Sequence, residues 1–143
     1  MKIIPIGADH AGFQLKELII KYLTNLGYEV KDLGCFSEES IDYPDFAHPV
    51  SEMVQANPGM RGILICGSGN GINMTANKHA GIRSALCWKK EIAELARLHN
   101  NANIIALPAR FISFEEAKDM VEVFLTTDFE GGRHQKRVEK IAL

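Results

Sequence analysis

Gly62-Ile-Leu-Ile-Cys66, running without a break into Gly67-Ser68-Gly69-Asn70-Gly71, is the stretch that decides the fold. A short apolar run bounded by glycines reads as a strand buried on both faces. The glycines that follow keep side chains off the backbone where that strand ends, and Ile72–Lys78 can then form a helix. In an open parallel sheet, ligands bind beyond the carboxyl ends of the strands, where N–H groups converge on an anion at the next helix start. The loop therefore suits oxygen-rich negative charge, although a tight turn without a ligand would use the same residues.

Outward from this stretch, β-rich runs recur at Lys2–Ile6, Glu29–Leu33, Ser84–Cys87 and Asn103–Leu107, separated by segments long enough for helices. Such alternation predicts an α/β fold with a five-stranded parallel sheet flanked by helices. From about Ala11 to Leu26, the residues Leu15, Leu18, Ile19, Tyr22, Leu23 and Leu26 follow helical spacing, and Gly27 supplies the stop. Ser113 and Glu116 form a capping-box pattern ahead of a helix whose apolar face is Ala117, Val121, Phe124 and Leu125. Pro5 donates no hydrogen bond, so it is expected at a strand end or sheet edge. Ser37–Asp42 and Asn57-Pro58-Gly59 read as loops, and nothing divides residues 1–143 into two domains.

The 143 residues are 46% apolar and 24% charged with a formal net charge of −2, which gives no footprint for nucleic acid. The N-terminal Met-Lys-Ile-Ile-Pro-Ile-Gly turns polar at Asp9 and His10, so neither a leader nor a membrane span is expected there. Cys35, Cys66 and Cys87 are odd in number and far apart, which suggests reduced thiols in a cytoplasmic protein and no zinc cluster.

The dinucleotide fingerprint needs glycine where Ile72 stands, and the Gly-Lys-Ser/Thr of a P-loop is missing, so nucleotide cofactors are not expected. Cys66 stands where aligned N–H dipoles favour a thiolate, although a buried apolar cysteine would also fit a strand end. Gly131-Gly132-Arg133-His-Gln-Lys-Arg137 opens a last helix and puts Arg133 and Arg137 one turn apart. Two guanidinium forks on one face match a phosphate dianion, and a solvated basic face would look the same. Arg110 can join either arrangement. Asp9-His10 ends the first strand and His99-Asn100 ends the Glu91–Leu98 helix, so both are expected near the ligand edge of the sheet. His48, His79 and His134 read as structural or exposed.

Gly7-Ala-Asp-His-Ala-Gly12, Asp42-Tyr-Pro-Asp45, Ile65-Cys-Gly-Ser-Gly-Asn-Gly71, Ala76-Asn-Lys78, Gly81-Ile-Arg83, Ala96-Arg-Leu-His-Asn-Asn101 and Glu130–Arg137 together resemble the type B ribose-5-phosphate isomerases. The resemblance spans nearly the whole chain and implies a three-layer, Rossmann-like fold and an aldose–ketose isomerase of ribose 5-phosphate and ribulose 5-phosphate. Relatives act on allose 6-phosphate or galactose 6-phosphate, so the sugar is less fixed than the reaction. The resemblance makes Cys66 the base between C1 and C2, with the amides of Gly67, Ser68, Gly69, Asn70 and Gly71 around the enediolate oxygens. It makes His99 the ring-opening acid–base with Asp9 nearby. Ser68, Tyr43 and Asn100 would contact sugar oxygens, and His10, Arg110, Arg133 and Arg137 would hold the phosphate. It also implies a homodimer, or a tetramer of paired dimers, whose active sites borrow residues from the neighbouring subunit.

Three departures bear on this: Ser68 stands where many members carry threonine, Pro5 interrupts the first strand, and Ile72 stands where one subgroup carries a catalytic glutamate. The last points back to Cys66. Ring opening and proton transfer need no metal or cofactor. A hydrolase using Cys66 or Ser68 with His99 fits poorly, because the nucleophile-elbow pattern would need glycine where Cys66 stands. A non-catalytic sugar-phosphate binder would keep the arginines without needing Cys66 or His99.

Overall fold

Apolar residues bury both faces of the three central runs, Ile3–Ala8, Gly62–Cys66 and Ile104–Pro108, and the shorter runs Glu29–Asp32 and Ser84–Leu86 pair along the edges of the same sheet. In the computed structural model, which describes residues 2–143, these runs are β1 (Ile3–Ala8), β2 (Glu29–Asp32), β3 (Gly62–Cys66), β4 (Ser84–Leu86) and β5 (Ile104–Pro108). The helices are α1 (Phe13–Asn25), α2 (Pro44–Ala56), α3 (Asn70–Ala76), α4 (Lys90–Leu98), α5 (Phe114–Thr126) and α6 (Arg133–Glu139), and a 3₁₀ turn, His10–Gly12, precedes α1. All strand pairs are parallel in the order β2-β1-β3-β5-β4. The chain therefore leaves β1 toward one side and returns to its other side at β3. This puts the switch point, where open α/β sheets hold their ligands, between the carboxyl ends of β1 and β3.

Alternate residues of the central strands feed two cores, as the two-residue period requires. Ile4, Ile6, Ile63, Ile65, Ile105 and Leu107 pack with α1, α4 and α5, while Leu64, Cys66, Ile104 and Ala106 pack with α2 and α3. Each isoleucine or leucine of this set taken fully from water contributes about 2 kcal/mol. This is the three-layer arrangement expected from the alternation of elements.

Three expectations need correction. Pro5 lies inside β1, an interior strand. The Ile6 and Ala8 carbonyls accept from Leu33 and Cys35 N–H on the β2 side, so alternation turns the donorless Pro5 nitrogen toward β3. There the ladder begins only at Ile6 paired with Ile63. In α1, Leu18 and Leu26 are exposed and Lys16 is fully buried; Lys16 Nζ reaches the Asp32 carboxylate at 2.8 Å. The third concerns His99 and is described with the site. The Ser113 capping box forms as expected, with Glu116 N–H donating to Ser113 Oγ at 3.1 Å and Ser113 N–H to Glu116 Oε1 at 2.9 Å.

Candidate active site

At the carboxyl edge, the backbone after β1 and β3 is drawn together by hydrogen bonds. Asp9 N–H donates to the Ile65 carbonyl at 3.2 Å, and buried Asp9 accepts from the N–H groups of Ala11 and Gly12 at 3.0 and 3.2 Å. Gly12 is required because a Cβ there would lie 2.7 Å from the Ile65 carbonyl oxygen. His10 Nδ1 accepts from Ile41 N–H at 3.2 Å, tying the loop that carries Tyr43 to this edge.

Cys66 ends β3 and is 4% exposed. Gly69 turns the loop with φ 77° and caps α3, and the first-turn amides of a helix have no intrahelical acceptor. Ser68 is exposed, and its Oγ accepts from Asn70 N–H at 3.3 Å. The Tyr43 ring covers Gly71, where a Cβ would meet it at 2.4 Å, and the Arg110 guanidinium lies over Gly67. Arg110 is held there by its own N–H, which donates to the Gly67 carbonyl at 3.0 Å. Asp9, His10, Tyr43, Cys66, Gly67–Gly71 and Arg110 therefore gather at the carboxyl edge, beside the β1–β3 switch point.

His99, Asn100, Arg133 and Arg137 are elsewhere in the chain. A crossover helix runs back against its strands, so α4, entered after β4 and left before β5, delivers His99 to the amino edge of the sheet. The expectation that His99-Asn100 approaches the ligand edge is thus corrected. A five-residue strand separates the two edges by roughly 15 Å. The same edge receives the end of α5, because Arg61, just before β3, donates to the Phe124 and Thr127 carbonyls at 2.8 and 3.1 Å. Glu130 N–H then donates to the Leu98 carbonyl at 3.1 Å, and Gly131 and Gly132, with φ 71° and 55°, fold α6 back. The His134 ring lands on that of His99, with centroids 4.1 Å apart and planes 14° apart. Arg133 and Arg137 are exposed beside this stack.

The ribose/galactose isomerase family model matches residues 4–141. The chain belongs to that family. Ribose-5-phosphate isomerase B of Escherichia coli K12 is 46% identical over 141 residues, 99% of this chain and 95% of that protein. The ribose 5-phosphate isomerase structure from Thermotoga maritima superposes with a TM-score of 0.96 at 50% identity, covering 99% of this chain and 97% of that one. The Mycoplasma genitalium ribose-5-phosphate isomerase B structure with bound ribulose-5-phosphate gives a TM-score of 0.94 at 44% identity, covering 97% and 93%.

Within the ribose/galactose isomerase framework, two features beyond the expected residues shape the edges. Lys16 and Asp32 hold the turn beside Asp9, since Asp32 Oδ1 also accepts from Gly34 N–H at 3.0 Å and the Gly34 carbonyl accepts from Ala8 N–H at 2.7 Å. At the amino edge, buried Arg97 donates to the Thr127 and Ala102 carbonyls and to Asn101 Oδ1. Burial pushes its guanidinium down to about 10, and it secures the bend after His99. A cavity of about 340 Å³ among Lys78, His79, Arg83, Val138 and Ile141 includes none of the carboxyl-edge residues. No described helix is long and apolar enough to cross a membrane.

Proposed function

We propose that this chain interconverts ribose 5-phosphate and ribulose 5-phosphate in the cytoplasm. The observation that carries the reading is the match to the ribose/galactose isomerases over nearly the whole chain, joined to a carboxyl edge at which Cys66 stands at the head of the glycine loop. Buried free thiols at Cys35, Cys66 and Cys87 agree with a reducing compartment.

In this reading His99 and Asp9 open the furanose by exchanging protons with the anomeric hydroxyl and the ring oxygen. The Cys66 thiolate then removes the C2 proton of the open aldose and, as the thiol, returns it to C1, while the hydroxyl proton passes from O2 to O1. The Gly67–Gly71 amides stabilise the enediolate formed between those steps. Ser68, Tyr43 and Asn100 hold sugar oxygens, and His10, Arg110, Arg133 and Arg137 hold the phosphate.

This set needs two copies of the chain. His99, Asn100, Arg133 and Arg137 stand at the opposite sheet edge from Cys66, so a homodimer that presents one copy's amino edge to its partner's carboxyl edge completes each site. Phe36 and Phe111, on loops leaving the carboxyl ends of β2 and β5, are 71% and 74% exposed and suit burial by that partner.

The test is ribulose 5-phosphate formation from ribose 5-phosphate, run beside allose 6-phosphate and galactose 6-phosphate on wild type and Cys66→Ala. We expect pentose turnover by wild type and a loss of about a thousandfold in kcat for Cys66→Ala, with substrate binding retained by calorimetry. A preference for a hexose would change the substrate, an active Cys66→Ala would remove the base, and binding without turnover would leave a sensor.

A further inference from the structure

His134 sits between residues already placed in the site, and its own surroundings are unusual. It is 6% exposed, its ring lies flat on His99 at 4.1 Å, and its Nε2 is buried without a hydrogen-bond partner. Glu130 Oε1, at 3.7 Å, is beyond hydrogen-bond reach. The ring is therefore held by packing and by the Gly131-Gly132 turn.

His99, Glu130 and His134 have potential ligand atoms within 4.8 Å of one another. A shared metal ion is nonetheless poorly served: an imidazole binds a metal along its in-plane lone pair, and two rings stacked 14° from parallel cannot aim those lone pairs at one point. The arrangement suits a device that fixes one ring with another.

We propose that His134 is a positioning residue whose buried, uncharged ring fixes the plane of His99 for proton exchange with the sugar. This rests on the assignment of His99 as the ring-opening acid–base. The groups facing His134 are His99 from α4, Glu130 from the preceding loop, and Arg133 and Arg137 from its own helix. Burial, then His99 and the two arginines, push the His134 imidazole below its ordinary range against the opposing pull of Glu130. A neutral ring accepts an imidazolium against its face, whereas a second imidazolium would repel the first and open the stack.

The experiment combines ribose 5-phosphate kinetics on His134→Ala and His134→Phe with an NMR titration of the imidazole Cε1–H signals in the unliganded wild type. We expect His134→Ala to lower kcat about tenfold with KM within about twofold, and His134→Phe, which keeps a flat ring, to restore most of kcat. Wild-type kcat in His134→Ala, a change confined to KM, or equal damage in both variants would overturn the proposal. In the titration, the His134 signal should shift only below the ordinary histidine range; a His134 that gains its proton at or above that range would also overturn the proposal. This measurement needs neither substrate nor the alanine variant. If wild type shows no turnover, the isomerase assignment fails while the titration of His134 still judges the stack.

Discussion

Cys66 and His134 differ in how far their surroundings can be read from the chain. Cys66 announces itself locally, since an apolar strand and a glycine loop adjoin it in the sequence and nothing distant is needed to place it at a ligand edge. His134 lies between Arg133 and Gln135 with no spacing that distinguishes it, and its partner His99 is remote in sequence; only the positive-φ turn at Gly131-Gly132 brings the rings together. The Glu130–Arg137 resemblance points to the arginines and passes over the ring between them. A stability prediction follows from the titration of that ring. Its pKa in the fold lies below the ordinary 6.5, so the folded state binds fewer protons than the unfolded state as pH falls. The contribution is therefore fully present above about 6.5 and is lost as acidity increases toward the folded value. His134→Phe should show a smaller drop in Tm between pH 7 and pH 5 than wild type, measured by thermal unfolding.

Single elements were legible where periodicity and caps agree, as in α5, and obscured where a side chain acts against its type. The helical spacing of α1 selects Leu15, Ile19 and Leu23 correctly but also Leu18 and Leu26, which stay exposed. It gives no hint that Lys16, rather than a leucine, fills the crowded space between Phe13 and Phe36. That choice depends on Asp32, which arrives from β2. In α2, Pro44 and the internal Pro49 conceal a helix that nevertheless buries Ala47, Val50, Ser51 and Val54. Substituting Lys16→Met should cost about 2 kcal/mol in urea unfolding, because Asp32 keeps solvent and the Gly34 N–H for company. Adding Asp32→Asn should cost less than the two single changes combined.

For the molecule as a whole, the five strands and the helices between them were readable, but the order β2-β1-β3-β5-β4 was not, since crossovers and distant pairing set it. The edge that receives His99 could have been deduced: a residue ending a helix that leads into a parallel strand must stand at that strand's amino end. The proposed two-copy site has a direct check. Mixing unfolded Cys66→Ala and His99→Ala chains and refolding them should give dimers in which one site is whole. Activity should recover to about a quarter of wild type in a statistical mixture, whereas sites contained within one chain would leave the mixture inactive. The separation of Cys66 from His99 by the length of the sheet also has a kinetic meaning. In the proposed two-copy site a lone folded chain carries every group and still lacks a working set, so the rate per chain becomes a function of how often two chains meet. Diluted far enough, the enzyme should fade as its own concentration falls, and return when concentrated.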